Sequence, residues 1–427
     1  MTKFPQLLAP GRIGSLQLRN RIIMAPMGSN FAEASGHCGE RIQAYYEARA
    51  RGGAGLLIMG VCSVAFPAGT AEPFQVGVSS DDFIPGLSRL AERVHQHGAK
   101  IAMQLQHAGK TSVRDMAEGR QLWVPSVPPV LQSDMMAALT PEELANFVSS
   151  MKRRAEGSPI RVMDDADIAQ MIDWFAQAAE RAKRAGFDGV EIHAAHGYII
   201  AGFLSSYYNQ REDDYGGTLE NRARLLLDII AAVRAKVGDE FAVWLRLDAE
   251  ELHTPNGITL QDAQAVARMA QAAGVDAVSV SASARITSGV VFTEAPLVQK
   301  PDGFMEWTAA IKRSVNLPVI AVGRIEPQSG EAALKRGDCD FVAMARKLLA
   351  DPELPNKLSN GQENTIRPCI YCYVCVSQIF VNERVKCAVN PMTGHAFEYV
   401  RSPTLSAKHI GVIGAGPAGM EAARVAA

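Results

Sequence analysis

Two histidines and a tyrosine lie close together in the sequence, directly after a short apolar stretch. They are His193, His196 and Tyr198. Two imidazoles three residues apart can hold and polarise a carbonyl oxygen, and a phenol nearby can give a proton to a developing carbanion. The alternative is that loop hydrogen bonds satisfy the histidines and that the tyrosine belongs to the core. Zinc is disfavoured because no H-E-x-x-H motif or third ligand is evident. We therefore predict catalysis at these three residues.

Four of the seven cysteines are crowded into one stretch. Cys369, Cys372 and Cys375 form a tight triplet, and Cys387 follows from a separate loop. Crowded cysteines in a reducing compartment indicate metal ligation rather than disulfides, and this spacing suits an iron–sulfur cluster. Zinc more often takes two separated C-x2-C pairs. The spacing predicts a [4Fe–4S] cluster, with zinc and free thiols as the alternatives.

A glycine-rich turn follows an apolar run near the end of the sequence. Gly414, Gly416 and Gly419 form the pattern G-x-G-x-x-G, which between a strand and a helix indicates a dinucleotide-binding unit. The acidic residue that binds the ribose would come about 20 residues later, but the sequence ends at Ala427. We expect FAD and NAD(P)H to bind only in a longer chain, and we favour truncation over a natural protein with a vestigial tail.

A recurring unit of helix, glycine and short apolar strand must position these groups. It occurs at 51–59, 96–105, 184–193, 272–280 and 336–344. The glycine is the left-handed residue that ends each helix, and continuous apolar strands are typical of a parallel sheet buried on both faces. Further strands are expected at 21–25, 242–246 and 318–322. Eight such strands predict an α/β fold with a (β/α)8 TIM barrel; an open doubly wound sheet is the main alternative.

The elements between and after these strands divide the chain into three parts. Helices are expected at 83–97, 165–185, 219–237, 260–272 and 327–335. Residues 120–164 do not fit the repeat, so we interpret them as a loop insertion at the mouth or rim of the barrel, with a helix starting near Thr140. We assign residues 1–358 to the barrel and 359–400 to the four-cysteine segment. Residues 401–427 would form the first strand, at 409–413, and the first helix of a Rossmann-type dinucleotide-binding domain.

The composition excludes several classes of function. Lys and Arg number 43 and Asp and Glu 45, so bulk charge predicts no binding to nucleic acid or to an anionic membrane. The longest apolar run, 54–66, is interrupted by two glycines and is too short to cross a bilayer. No apolar signal stretch follows the N-terminus. We expect a cytoplasmic protein with a small-molecule substrate; a homo-oligomer and an electron-transfer partner are both compatible with the sequence.

Four longer stretches are distinctive. They lie at 8–27, 104–109, 208–222 and 344–352. The first includes Met24-Ala-Pro-Met, the second reads Gln104-Leu-Gln-His-Ala-Gly, and the third includes Asp214-Tyr-Gly-Gly-Thr. Together they resemble the old yellow enzyme superfamily, and within it the larger iron–sulfur flavoproteins of the 2,4-dienoyl-CoA reductase and trimethylamine dehydrogenase group. The resemblance runs the whole length of the chain.

The resemblance implies non-covalent FMN at the mouth of the barrel. Arg246 would stabilise negative charge near N1 of the reduced flavin, and Gln104 would also meet the pyrimidine edge. Backbone N–H groups and arginines would hold the phosphate. His193 and His196 match the family's pair of donors to the substrate oxygen, and Tyr198 matches its proton donor. The implied FMN-binding residues are Ala25, Pro26, Met27, Gly60, Gln104, Arg246, Gly323, Arg324, Ala345 and Arg346.

The sequence departs from two branches of this group. At the position of Gly28, the amine dehydrogenases carry a cysteine that forms a covalent link to flavin. At the position of Val61, they carry part of an aromatic cage for a methylated cation. Dienoyl-CoA reductases carry a histidine near 292–294, where this chain reads Phe-Thr-Glu, and they lack the paired histidines. Neither a methylamine-like nor a dienoyl-CoA substrate is therefore favoured.

These observations lead to a reductase as the first hypothesis. Electrons from NAD(P)H would reach FMN through the cluster, and a hydride would pass to the β-carbon of an activated alkene while Tyr198 protonates the α-carbon. The runner-up reverses the flow, so that an N-methylated amine or amino acid gives hydride to FMN and the cluster carries electrons out. A third hypothesis is a non-enzymatic electron-transfer subunit with an inactive barrel.

Overall fold

Eight parallel strands close into a barrel in the structure, a computed structural model that describes residues 2–128, 159–284, 295, 297, 300–398 and 406–427. Each strand pairs with its neighbours in parallel, and the first pairs with both the eighth and the second, so the ring closes. The predicted (β/α)8 barrel is confirmed, and the open doubly wound sheet is wrong. The strands are β1 (Ile22–Met24), β2 (Leu56–Ser63), β3 (Lys100–Gln106), β4 (Gly189–Ala194), β5 (Ala242–Leu252), β6 (Val278–Ala284), β7 (Val319–Ala321) and β8 (Phe341–Met344).

Eight helices alternate with these strands and pack around them. They are α1 (Glu40–Arg51), α2 (Ile84–His95), α3 (Asp165–Arg184), α4 (Leu219–Val237), α5 (Leu260–Ala272), α6 (Met305–Lys312), α7 (Pro327–Arg336) and α8 (Leu354–Ser359). Further helices of the described chain lie at Val113–Glu118, Ile199–Leu204, Arg346–Ala350, Val374–Phe380 and Pro417–Ala426, and 3₁₀ turns at Asp81–Phe83, Gly109–Thr111 and Glu363–Thr365. The predicted helices at 219–237 and 260–272 form with those bounds, because Thr218 and Thr259 accept the N–H groups of the first turn.

Neighbouring residues of each strand face two different cores, because side chains alternate along a strand. Ile58 and Trp244 are fully buried with other side chains that fill the barrel. Their sequence neighbours Leu57 and Val243 pack outward against the helices. The antiparallel hairpin Gly11–Ile13 and Leu16–Leu18 contributes Leu18 to the inner core. The interior is thus filled, which leaves the carboxyl ends of the strands as the face that can hold a site.

A short two-stranded sheet joins the two ends of the insertion at residues 120–164. Leu122–Val124 pairs in parallel with Ile160–Val162, and Val76–Gly77 adds a short strand beside β2. The expected helix near Thr140 lies outside the described residues.

The last part of the chain differs from the expectation. Residues 409–413 form no strand, whereas the helix Pro417–Ala426 does form. A strand needs a partner for its backbone N–H and C=O groups, and Ile410 and Ile413 are exposed. Within the part of the chain that the structure describes, no helix has both the length and the apolar character needed to cross a bilayer.

Candidate active site

His193, His196 and Tyr198 come together at the carboxyl end of β4. His193 lies in the strand, His196 has a φ of 62°, and Tyr198 is the N-cap of the helix Ile199–Leu204. The turn brings the ring centroid of His193 within 4.8 Å of those of both His196 and Tyr198. The structure therefore gathers the three predicted catalytic side chains into one cluster at the end of a barrel strand, where active sites of this fold occur.

The surroundings hold both histidines as neutral rings. The Ala195 N–H donates to Nδ1 of His193 over 3.3 Å, which leaves the proton of the neutral ring on Nε2. The His196 N–H donates to Asp248 Oδ2 over 2.7 Å, and His196 Nε2 lies 2.8 Å from Ser281 Oγ. Burial lowers the pKa of each ring well below its usual value, and nearby positive charge lowers it further. Neutral rings with an N–H to offer can act as hydrogen-bond donors to a substrate oxygen.

Arg246 brings a buried positive charge beside the histidines. It lies on β5 in register with His193 of β4 and Ser279 of β6, and 7% of its surface is exposed. Its Nη1 and Nη2 donate to the hydroxyls of Ser279 and Ser281 over 3.5 and 3.2 Å. Its Nε is buried without a hydrogen-bond partner among the described residues. Such a donor fits the acceptor edge of the flavin that the resemblance implies, because buried donors are nearly always satisfied.

Gln104 is fixed by a buried carboxylate. Its Nε2 donates to Glu191 Oε2 over 2.6 Å, and Trp244 Nε1 donates to Oε1 of the same carboxylate over 2.8 Å. A Cβ added to Gly60 would lie 2.8 Å from Gln104 Oε1 and 2.5 Å from Pro26 Cβ. Gly60, Pro26 and Gln104 are therefore in contact, and any side chain at position 60 would collide with the other two. This close packing suits a surface on which a flat ring lies.

Ala25 and Met27 follow β1 in the same region. Ala25 is buried, and Met27 is half-buried against the core. Gly28 lies against the buried side chain of Glu72, because a Cβ at Gly28 would sit 1.4 Å from Glu72 Oε1. A cysteine at this position would displace that carboxylate.

The residues implied for the phosphate lie at the ends of β7 and β8. Gly323 and Arg324 have φ values of 104° and 58°, and Ala345 immediately precedes the short helix that begins at Arg346. The Arg324 and Arg346 guanidinium carbons lie 4.3 and 5.2 Å from the centroid of the Tyr371 ring. Nη1 of Arg346 is buried without a partner among the described residues. Two neighbouring arginines, one with an unused donor, fit a phosphate group.

The four crowded cysteines line one pocket, which also includes Arg346 and Tyr371. Burial raises the pKa of the Cys369 thiol, and it raises that of Cys375 to about 11. Among the described residues, however, no three His, Cys, Asp or Glu side chains are close enough to hold a metal ion. Thiol ligands must lose their protons to bind a metal. The structure therefore brings the cysteines to a common pocket but not into a ligand arrangement.

Two glycines of the fingerprint lie in one turn, and the third lies in the helix that follows it. Gly414 has a φ of 101°, and Gly416 is the N-cap of the helix Pro417–Ala426. A Cβ on Gly419 would lie 1.9 Å from the Gly414 carbonyl oxygen, so glycine is required at 419. Residues 406–427 are almost entirely exposed. These glycines lie in that turn and helix and do not join the histidines.

Three polar residues belong to the site although the sequence analysis gave them no role. They are Glu191, Asp248 and Ser281, all fully buried. Burial raises the pKa of Asp248 to about 7. A signal for Asp248 exists in the sequence, because it follows Arg246 by two residues at the end of a barrel strand and therefore shares its face. Ser281 has no such signal, since its contacts depend on how β5 and β6 pair.

Most of the chain matches the model of a known protein family. The model of the NADH:flavin oxidoreductase / NADH oxidase family matches residues 6–365. An NADH oxidase from Thermoanaerobacter brockii is 39% identical over 437 residues, which cover 100% of this chain and 62% of that protein. An N,N-dimethylglycine/sarcosine dehydrogenase from Chromohalobacter salexigens is 35% identical over 434 residues, which cover 99% of this chain and 59% of that protein.

A solved structure is similar over almost the whole chain. The complex of 2-naphthoyl-CoA reductase with 2-naphthoyl-CoA superposes with a TM-score of 0.86 at 28% identity, covering 99% of this chain and 63% of that one. The chain thus spans 59% to 63% of the length of these three relatives.

Proposed function

The chain belongs to the NADH:flavin oxidoreductase / NADH oxidase family, and from that premise we propose that it reduces an activated carbon–carbon double bond with electrons from NAD(P)H. The observation that carries this proposal is the cluster of His193, His196 and Tyr198. Two neutral imidazoles lie beside a phenol there, and the His193 ring is 4.8 Å from each of the others. A carbonyl needs donors and an α-carbon needs a proton, and this cluster offers both.

FMN is the flavin that we propose for the barrel mouth. The unsatisfied buried donors of Arg246 and Arg346 support it, as does the contact between Gly60, Pro26 and Gln104. Arg246 and Gln104 would hold the ring, and Ala25, Pro26, Met27 and Gly60 would lie against it. Gly323, Arg324, Ala345 and Arg346 would hold the phosphate. When bound, FMN supplies the hydride that the double bond takes up.

The chain's own residues would do the rest of the chemistry. His193 and His196 donate hydrogen bonds to the carbonyl oxygen of the substrate and stabilise the negative charge that develops on it. Burial, and to a smaller extent the charge of Arg246, lowers the pKa of both rings, so they remain neutral hydrogen-bond donors. The Tyr198 phenol gives its proton to the α-carbon as the β-carbon gains the hydride, and the phenolate regains a proton from water.

A [4Fe–4S] cluster on Cys369, Cys372, Cys375 and Cys387 is part of the same proposal. The shared pocket of the four thiols supports it, with zinc as the alternative. The turn at Gly414 and Gly416 and the close approach of Gly419 to the Gly414 carbonyl support FAD and NAD(P)H as further cofactors of a longer chain. Electrons would then pass from the nicotinamide through the cluster to the barrel.

One experiment tests the direction of electron flow. The holoprotein is reduced without oxygen and mixed with benzylideneacetone, and the absorbance of oxidised flavin is followed. We expect it to return rapidly, and we expect Tyr198→Phe to slow this step by about 10²–10⁴-fold, the usual contribution of a proton donor, while flavin reduction keeps its rate. Equal slowing of both half-reactions would contradict the proton-donor role.

Amine oxidation is the second candidate, favoured by the 35% identity to the N,N-dimethylglycine/sarcosine dehydrogenase. In that case the histidines would bind a carboxylate, and the cluster would pass electrons to a partner protein. Bleaching of oxidised flavin by sarcosine or N,N-dimethylglycine, with no reoxidation by the enone, would select it. Loss of all flavin during purification would instead favour an electron-transfer subunit with an inactive barrel.

A further inference from the structure

Lys110 is a buried amine next to the proposed catalytic tyrosine. It follows β3 in the 3₁₀ turn Gly109–Thr111, and it lines a pocket together with Trp123, Tyr198 and Tyr208. A Cβ added to Gly197, between His196 and Tyr198, would lie 3.9 Å from Lys110 Nζ. The amine is therefore next to the turn that carries the catalytic cluster.

The amine has no polar partner among the described residues. Its Nζ is buried and makes no hydrogen bond there, and it lies over the ring of Tyr208. The carboxylate of Glu251 acts on it electrostatically but already accepts from Ser205 Oγ over 2.6 Å and from the Ile258 N–H over 3.3 Å. Burial lowers the pKa of Lys110 to about 7, and Glu251 partly opposes this.

Other partly buried lysines of the barrel have carboxylate partners. Lys347 is paired with Glu326, and Lys357 with Asp351. A buried ammonium without such a partner is costly, because taking a charge out of water needs compensation. No carboxylate of the described chain forms a hydrogen bond with the Lys110 amine, and a substrate in the pocket that Lys110 shares with Tyr198 would supply one.

We propose that Lys110 binds a carboxylate of the substrate at a position separate from the carbonyl that His193 and His196 hold. This inference rests on the proposed function and adds the substrate class, an activated alkene that carries a distant carboxylate. A carboxylate fits better than a phosphate, since a single amine supplies one positive charge and phosphate sites usually combine several donors. The aromatic rings of Trp123 and Tyr208 would contact the apolar body of such a substrate.

The test uses benzylideneacetones that carry a carboxylate in the para or meta position and the matching neutral carboxamides. Each is titrated into the oxidised holoprotein, and Kd is obtained from the change in flavin absorbance. In the wild type we expect at least one acid to bind more tightly than its amide. In Lys110→Met we expect the amide-to-acid ratio of Kd values to fall by about tenfold to a hundredfold, the range for a hydrogen bond to a charged group. Lys110→Arg should retain most of the preference.

Lys100→Met is the matched control. Lys100 lies at the other end of β3, where it pairs with Asp188 over 2.9 Å, and its loss should leave the Kd ratio unchanged. No preference for either acid in the wild type, or an equal preference in Lys110→Met, would overturn the assignment. A different result would contradict the proposed alkene reduction. In that case none of the four compounds would reoxidise the reduced flavin, whatever their Kd values.

Discussion

His193 and His196 lie among buried polar groups, and these groups determine the charge and orientation of both rings. Burial and the charge of Arg246 hold both rings neutral, and Asp248 fixes the turn at His196 through its backbone N–H. A charged imidazole beside Arg246 would place two positive charges together in a region with little water. Under the proposed function, the histidines would therefore orient and polarise the substrate carbonyl, and Tyr198 would supply the proton.

Glu72 provides a residue-scale prediction about pH and stability. Its carboxyl is buried and accepts the Asn30 N–H over 3.3 Å, and burial raises its pKa from 4.5 to about 7. A raised pKa in the folded state means that the folded protein holds this proton more tightly than the unfolded chain. The contribution of Glu72 to stability is thus fully present below pH 4.5 and is lost as the pH rises to about 7.

Glu72→Gln should remove that dependence. With excess FMN present, we expect the thermal midpoint of the variant to exceed that of the wild type at pH 8, by the equivalent of about 3 kcal/mol at most, and the difference to shrink towards pH 4.5. Glu306→Gln, whose side chain is 90% exposed, is the control and should not change the pH profile. A constant offset between wild type and Glu72→Gln at all pH values would contradict the prediction.

Residues whose contacts are local in sequence could be predicted, and those whose contacts cross strands could not. His193, His196 and Tyr198 were identifiable because all three lie within six residues of the sequence. Glu251 acts electrostatically on Lys110 because β3 and β5 end at the same face of the barrel, although the two residues are 141 positions apart in the sequence. No spacing pattern in the sequence predicts such an interaction between remote residues, and a lysine in a loop is expected to be exposed.

The same distinction holds for whole elements. α4 and α5 could be predicted to the residue because their start signals, Thr218 and Thr259, lie within three positions of the N–H groups they cap. The strand expected at 409–413 has a suitable apolar sequence, but strands need partners at a distance, and none of the described residues provides one. Local signals thus predicted helix bounds well, whereas the existence of a strand depended on chain that is remote in sequence.

Residues 366–398, the part of the four-cysteine segment that contains its cysteines, provide an element-scale prediction, and we call them the cysteine segment. We expect Cys387→Ala to lose most of its iron and acid-labile sulfide, because a cluster with three thiolates lacks one ligand. Cys339→Ala is the matched control, since Cys339 is fully buried beneath the barrel helices and lies outside the segment. Iron and sulfide are measured per chain after anaerobic reconstitution. Iron bound without sulfide, or zinc bound in its place, would show that the four thiols serve another metal site.

At the scale of the whole molecule, the cysteine segment is attached to the barrel mouth by hydrogen bonds. Asn30 Nδ2 donates to the Glu383 carbonyl over 3.0 Å, and the Val385 N–H donates to the Ser29 carbonyl over 3.0 Å. Tyr371 adds an aromatic contact, since its ring lies against Arg324 and Arg346. The same arginines are proposed to hold the flavin phosphate, so the segment and the barrel share side chains and should retain their cofactors together.

Asn390 tests that coupling without altering a cysteine or a residue proposed to touch flavin. It is 3% exposed, and its Nδ2 donates to the Leu349 carbonyl over 2.8 Å. Asn390→Ala leaves that carbonyl without its partner, which costs about 1–3 kcal/mol. We expect amide exchange to accelerate in residues 374–380 and iron to be lost faster on dialysis, whereas the barrel strands keep their protection. Asn360→Ala, on the exposed end of α8, is the control. If exchange accelerates equally in β4 and β5, the side chain stabilises the barrel as a whole and does not specifically hold the cysteine segment in place.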